Sequence, residues 1–246
     1  MVGWSGATAH PVVSLRTGPA TAAGVNLRVV PSLGEHDVHV WVVALEHPAK
    51  QRRRELAHLA LDWLLAAYLG VTPAQLVFER GAAGKPQLQG EPLQFSLSHS
   101  ERLALVAVAR SRPVGADVQA PHPATTRAWF ARRICSAREY DRYLTNPQPD
   151  ELLRLWVRKE AVLKARGAGS YLDVDGIDVL DDAVAGATAG RWLCRDLTLP
   201  GELAGYRAAV AVGRAGGDGP TVPAEISTRV FLWPGADAAS DGQNRA

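Results

Sequence analysis

Two stretches of the second half hold residue types suited to binding a hard cation. Asp117 and Gln119 stand at i and i+2 at the end of the apolar run 114–118. On a strand their side chains leave from one face at its C-terminal end. Further along, Trp156, Glu160 and Lys164 recur every four residues with Lys159 beside them, which puts them on one side of a helix. A carboxylate from a strand end and another from a helix are oxygen ligands of the kind a hard divalent ion takes. Taken alone, Asp117 reads more readily as a surface residue ending a strand, and Glu160–Lys164 as an exposed i,i+4 ion pair. Gly167 and Gly169 follow directly; they end the helix and let backbone come close to a ligand.

The first half offers cations and hydrogen-bond donors. Gly84-Lys85-Pro86 forms a turn, and Phe95-Ser96-Leu97-Ser98-His99-Ser100 ends a strand with clustered hydroxyls and an imidazole. Lys85, Ser98 and His99 are suited to phosphate oxygens. The Gly-Lys pair is not a Walker A loop, because Pro86 stands where that loop needs Ser or Thr. Arg52-Arg53-Arg54 opens a helical segment, where positive charge opposes the helix dipole. A bound anion would relieve this, though a solvated charged turn explains the run as well.

These residues need a scaffold of strands and helices. The pattern predicts strands over 39–45, 76–79, 93–97 and 103–109 with a helix over 50–69, whose apolar stripe is Leu56, Leu59, Ala60, Trp63, Leu64, Ala67 and Tyr68. After a junction at 110–113 it predicts a strand over 114–118, helices over 125–133, 137–144 and 149–166, and strands over 177–180, 191–197, 206–212 and 226–232. Each half has a leading strand, helical material and further strands, so the expected class is α+β, with two such units packed together. No residue-level repeat relates them. The expected division is 1–35 as an extension, 36–112 and 113–233 as the two halves, and 234–246 as a tail, because both ends are rich in small and polar residues without a period.

Composition narrows the partners. A net charge of +2 over 246 residues, with a pI near 8.7, is too mild to argue for nucleic acid or an anionic membrane. Arg52 to Arg54 and Arg132-Arg133 lack interleaved aromatics and a recognisable nucleic-acid motif. Cys135 and Cys194 form no C-x-x-C and no Cys/His cluster, so a reducing, cytoplasmic compartment is expected, without a disulfide framework or a structural zinc site. No run approaches the roughly 18 apolar residues that span a bilayer.

In order, Gly84-Lys85-Pro86, Phe95 to Ser100, Val114-Gly115-Ala116-Asp117 and Trp156-Val157-Arg158-Lys159-Glu160-Ala161-Val162-Leu163-Lys164 resemble the signature motifs of the Sfp-type 4'-phosphopantetheinyl transferases. The last resembles the W-x-x-K-E-A-x-x-x-K form of the W/KEA subclass, continued by Gly167 and Gly169. The resemblance covers 36–212 and implies two α+β halves related by a pseudo-twofold axis, with coenzyme A in the cleft between them. It further implies that Lys85, Pro86, Ser98, His99 and Lys159 belong to the coenzyme A site, with Arg54 on the 3'-phosphate and Lys164 on the pyrophosphate. Asp117 and Glu160 match magnesium ligands. Gln119 stands where the commonest pattern has a second acid, which implies two protein carboxylates and one more metal-bound water. Glu139, in Ser136-Ala137-Arg138-Glu139-Tyr140, resembles a family glutamate near that water.

The implied reaction moves the phosphopantetheine arm of coenzyme A to a serine of an acyl, polyketide or peptidyl carrier protein, releasing 3',5'-ADP. The serine must lose a proton, and Glu160 and then Glu139 are the candidate bases. Two halves in one chain resemble the monomeric, broad-specificity class of secondary metabolism more than the short trimeric type. A non-catalytic module that only holds coenzyme A or a carrier protein is the alternative; it would have no need to keep Asp117, Lys159, Glu160 and Lys164 together.

Overall fold

The computed structural model describes residues 30–81, 84–123, 127–148, 150–167, 174–186, 192–199, 201–213 and 227–233. The expected extension, except 30–35, the tail 234–246 and Gly169 lie outside these. The strands are β1 (Asp37–Ala44), β2 (Phe78–Arg80), β3 (Pro86–Leu88), β4 (Leu93–Ser100), β5 (Leu103–Arg110), β6 (Val114–Gln119), β7 (Ile177–Asp178), β8 (Ala185–Gly186), β9 (Trp192–Asp196), β10 (Arg207–Gly213) and β11 (Ser227–Trp233). The helices are α1 (Lys50–Leu69), α2 (Ala128–Ile134), α3 (Ala137–Thr145) and α4 (Glu151–Arg166).

One sheet has the order β11-β1-β5-β4 and another β6-β10-β9. In each half the leading strand pairs antiparallel with the last strand of a hairpin, whose first strand lies outermost: β1-β5-β4 and β6-β10-β9. The same connection is thus used twice, giving the two α+β halves. The final strand, counted by sequence with the second half, pairs parallel with β1 in the first sheet, Asp37 opposite Ser227.

Alternation explains the layers. In β5, Leu103, Leu105, Ala107 and Ala109 face the other sheet, while Val106 and Val108 face α1, so a strand covered on both sides reads as one apolar run. Between the sheets these side chains meet Val114, Ala116 and Val118 of β6 and Ala208, Val210 and Val212 of β10. Helix α4 covers the opposite face of the second sheet, where Leu155, Ala161 and Ala165 share a core with Ala209, Ala211 and Cys194. The order is helix, sheet, sheet, helix.

The buried side of α1 is Leu56, Ala57, Ala60, Leu61, Leu64, Leu65 and Ala66. This corrects the expected stripe: Leu59 is exposed and the helix is rolled toward Leu61 and Leu65, which pack with Trp41, Phe95 and Val106. Both sides of Leu64 are apolar, so periodicity alone admitted either roll, and the sheet beneath selects one. Strands β2 and β3 pair as a hairpin, Glu79 opposite Gln87, around the Gly84-Lys85 turn that the sequence showed only as a turn.

Candidate active site

A cleft of about 1170 Å3 runs between the halves, walled by α1, the β2–β3 hairpin and β4 on one side and by β6 and α4 on the other. Arg54, Lys85, Pro86, Ser98, His99, Asp117, Gln119, Glu160 and Lys164 all line it. Sequence-distant residues converge there because of one close contact. Gly115 and Asp117 face α4 from β6, and a Cβ at Gly115 would lie 2.0 Å from the Ala161 carbonyl oxygen and 2.4 Å from the Ala165 nitrogen. Only glycine lets strand and helix backbones approach this closely. Glu160 and Lys164, each one position before those contacts, are thereby carried to the side of Asp117.

Asp117 is 1% exposed. Its Oδ1 accepts from Lys164 Nζ at 2.6 Å and Ser98 Oγ at 2.7 Å, and its Oδ2 from Gln119 Nε2 at 3.1 Å. Gln119 thus turns its nitrogen toward the carboxylate, while its oxygen accepts from Ser100 Oγ at 3.5 Å. Glu160 is 6% exposed. The two carboxylates, in a surface otherwise rich in cations and donors, fit a hard divalent ion that keeps several waters. Among the described residues no group of three or more His, Cys, Asp or Glu side chains is placed to hold a metal ion.

Ser98 also accepts from the Val118 backbone N–H at 3.3 Å, as Ser96 does from Ala116 at 3.1 Å and Ser100 from Ala120 at 3.0 Å. Three hydroxyls at period two on β4 thus cap alternate amides along the edge of β6. The single hydroxyl proton of Ser98 is committed to Asp117 in this arrangement, which leaves it none to give a phosphate oxygen.

The opposite wall is cationic. Lys50, Arg54 and His58 line it at i, i+4 and i+8 of α1. The arginine run sorts by role: Arg52 pairs with exposed Glu55 at 2.9 Å, and Arg53 folds back to donate to the carbonyls of His47 and Pro48. Arg54 is left for the cleft. No side chain caps the start of α1 and no acid lies in its first turn, so its positive dipole end is uncompensated. Burial, with His58, Arg54, Lys164 and Lys50 nearby, holds the His99 imidazole below its usual pKa. Burial lowers the Lys85 ammonium to about 8; its Nζ donates to the Val114 carbonyl at 2.7 Å.

Glu139 and Lys159 are not brought to the cleft. Both are fully buried. Glu139 Oε2 accepts from Lys159 Nζ and from Ser136 N, each at 2.7 Å, and its Oε1 accepts from Val179 N at 2.8 Å. Lys159 also donates to the carbonyls of Val174 and Ile177. Neighbouring Arg158, equally buried, donates to the carbonyls of Val179, Asp181 and Cys194. These charges tie α4 and α3 to the 174–182 segment and to β9. Lys50, His58, Asp62 and Phe78 also line the cleft without having stood out in the sequence; Lys50 and His58 were findable by stepping one turn either way from Arg54. Burial raises the Asp62 carboxyl above its usual pKa.

A family model described as the 4'-phosphopantetheinyl transferase superfamily matches residues 113–211. The chain is 34% identical over 167 residues to the 4'-phosphopantetheinyl transferase HetI of Nostoc sp., covering 54% of this chain and 70% of that protein. It is 35% identical over 161 residues to a 4'-phosphopantetheinyl transferase of Bacillus subtilis, covering 60% and 70%.

The chain belongs to the 4'-phosphopantetheinyl transferase superfamily.

It is 27% identical over 137 residues to a more distant relative, the transferase Sfp of Bacillus subtilis, 54% of this chain and 60% of that one. As a 4'-phosphopantetheinyl transferase it is an enzyme. The superfamily match contains β6 and α4, hence Asp117, Gln119, Glu160 and Lys164, while the cationic wall lies in the half outside it. No helix among the described residues is long and apolar enough to cross a membrane.

Proposed function

We propose that this transferase moves the 4'-phosphopantetheine arm of coenzyme A to a serine of an acyl, polyketide or peptidyl carrier protein, releasing 3',5'-ADP, with magnesium as its metal. The observation that carries the reading is the polarity of the cleft: Lys50, Arg54, His58, Lys85 and His99 on one wall face the buried carboxylates Asp117 and Glu160 on the other. A substrate with a pyrophosphate and a 3'-phosphate suits the first wall, and the second would suit a divalent ion. The W-x-x-K-E-A pattern at Trp156, Lys159, Glu160 and Ala161 supports the W/KEA subclass, and two buried free thiols suit a cytoplasmic setting. A monomer, divided at 112/113, is the form we assign.

Each residue then has a task. Arg54, aided by Lys50 and His58, holds the 3'-phosphate; Lys85 and His99 hold pyrophosphate oxygens beside Pro86; Lys164 neutralises the pyrophosphate from α4. Asp117 and Glu160 hold magnesium, and Gln119 and Ser98 orient Asp117. When bound, the metal stabilises the charge that develops on the pyrophosphate and leaving group. The carrier serine oxygen forms a bond to the β-phosphorus as the bond to 3',5'-ADP breaks. Glu160, which reaches the cleft where Glu139 does not, takes the serine proton.

The test is mass gain of apo carrier proteins of the three types, incubated with coenzyme A and magnesium. Gain should vanish on chelation, and Asp117→Ala or Glu160→Ala should lower the rate by about a hundredfold or more without changing the circular dichroism spectrum. A near-normal rate in either variant removes the metal assignment. Tight coenzyme A binding without mass gain on any carrier would establish a binding module instead.

A further inference from the structure

We infer that Lys164 is a built-in counter-ion of Asp117, one that a divalent cation must displace to bind; this rests on the proposed metal placement at Asp117 and Glu160. Asp117 is 1% exposed, and a buried carboxylate needs its charge balanced. Of the three side-chain donors on it, only Lys164 brings charge, at 2.6 Å. It is also the donor best able to leave. Ser98 is fixed on β4 by the Val118 amide as well, and Gln119 is two residues away on the same strand. Lys164 sits on the last turn of α4, before Gly167, with its side chain 29% exposed. Its four-carbon stem lets the ammonium swing across the cleft without backbone movement.

Two cations crowd one carboxylate oxygen poorly. An ammonium at 2.6 Å from Oδ1 occupies an approach to that oxygen and repels a second positive charge at short range. An anion in the cleft draws the ammonium toward itself and so clears Asp117. Phosphate and metal binding are thereby coupled: each favours the position of Lys164 that the other needs. Lys164 therefore weakens metal binding to the protein alone, and a phosphate ligand that draws it away lifts that penalty.

The experiment is calorimetric titration of magnesium into the full chain without coenzyme A. Lys164→Met should bind magnesium at least about tenfold more tightly than the unsubstituted protein, and Lys164→Arg, which keeps the charge, should not. Lys164→Gln carries the same expectation as the Met variant if that one does not fold. Unchanged or weaker affinity in the neutral variants, with Asp117→Asn losing magnesium, overturns the counter-ion but leaves the metal site. Asp117→Asn binding magnesium as the unsubstituted protein does overturns the metal site and this inference with it.

Discussion

Lys85 is a cleft cation whose charge changes over an accessible pH range. Its ammonium, lowered by burial to about 8, is mostly protonated at pH 7 and mostly neutral at pH 9. The KM for coenzyme A should therefore rise across that interval, and Lys85→Arg, charged throughout, should flatten the rise; initial rates against coenzyme A at each pH decide. A slope unchanged in the Arg variant assigns the pH effect to another group. The stability effect has a definite sign. Below pH 8 Lys85 is protonated in both states and its burial is a constant cost; between about 8 and the ordinary 10.5 the unfolded chain holds the extra proton, so this group's contribution to stability rises with pH. At this scale the sequence was informative about residue types and weaker on side-chain partners. Lys85, His99, Asp117, Glu160 and Lys164 all line one cleft. The commitment of the Ser98 proton to Asp117, and the turn of the Gln119 nitrogen toward it, depend on how two strands from different halves meet, which spacing does not encode.

Glu139 shows how an element can claim a residue that motif matching assigns elsewhere. Ser136-Ala137-Arg138-Glu139 is a capping box: Glu139 N donates to Ser136 Oγ at 3.2 Å and Ser136 N to Glu139 Oε2 at 2.7 Å. That S-x-x-E pattern was legible, and it states a structural use for the carboxylate. Lys159 completes the use from α4, inside a core where removing one partner of a buried ion pair typically costs about 3–5 kcal/mol. Glu139→Ala should lower the unfolding free energy by that order in urea titration, and Lys159→Met by a similar amount. If Glu139→Ala retains its stability and loses only turnover, the residue belongs to the chemistry after all. Gly115 makes the complementary point. Nothing about one glycine in a strand announces its role, yet Gly115→Ala must push β6 off Ala161 and Ala165, separating Asp117 from Glu160 and Lys164 and opening the core between strand and helix. Loss of both magnesium binding and thermal stability is expected, measured by calorimetry and melting.

At the scale of the whole molecule, alternation along the strands, the α+β class and the plan of two similar units were readable, whereas the order in which the strands pair was not. The orders β1-β5-β4 and β6-β10-β9 match, but residues filling equivalent places face different neighbours and have no reason to be alike. Nor did position along the chain reveal that β11 returns to the first sheet, since parallel pairing leaves no turn signature. The joint between the halves has a consequence for exchange with solvent deuterium. Ala116, Val118 and Ala120 present their amides to seryl oxygens of β4, whereas the alternate residues Gly115, Asp117 and Gln119 turn theirs to β10, the partner strand in the register. Parting the halves would bare the first set and leave the second protected. If the halves separate more readily than either sheet unravels, the two sets should exchange at different rates under native conditions. On the proposed placement coenzyme A would bridge both walls and should slow the first set alone; equal slowing of both would mean that the halves open only when the whole molecule unfolds. Read residue by residue along β6, labelling thus becomes a strain gauge for the cleft.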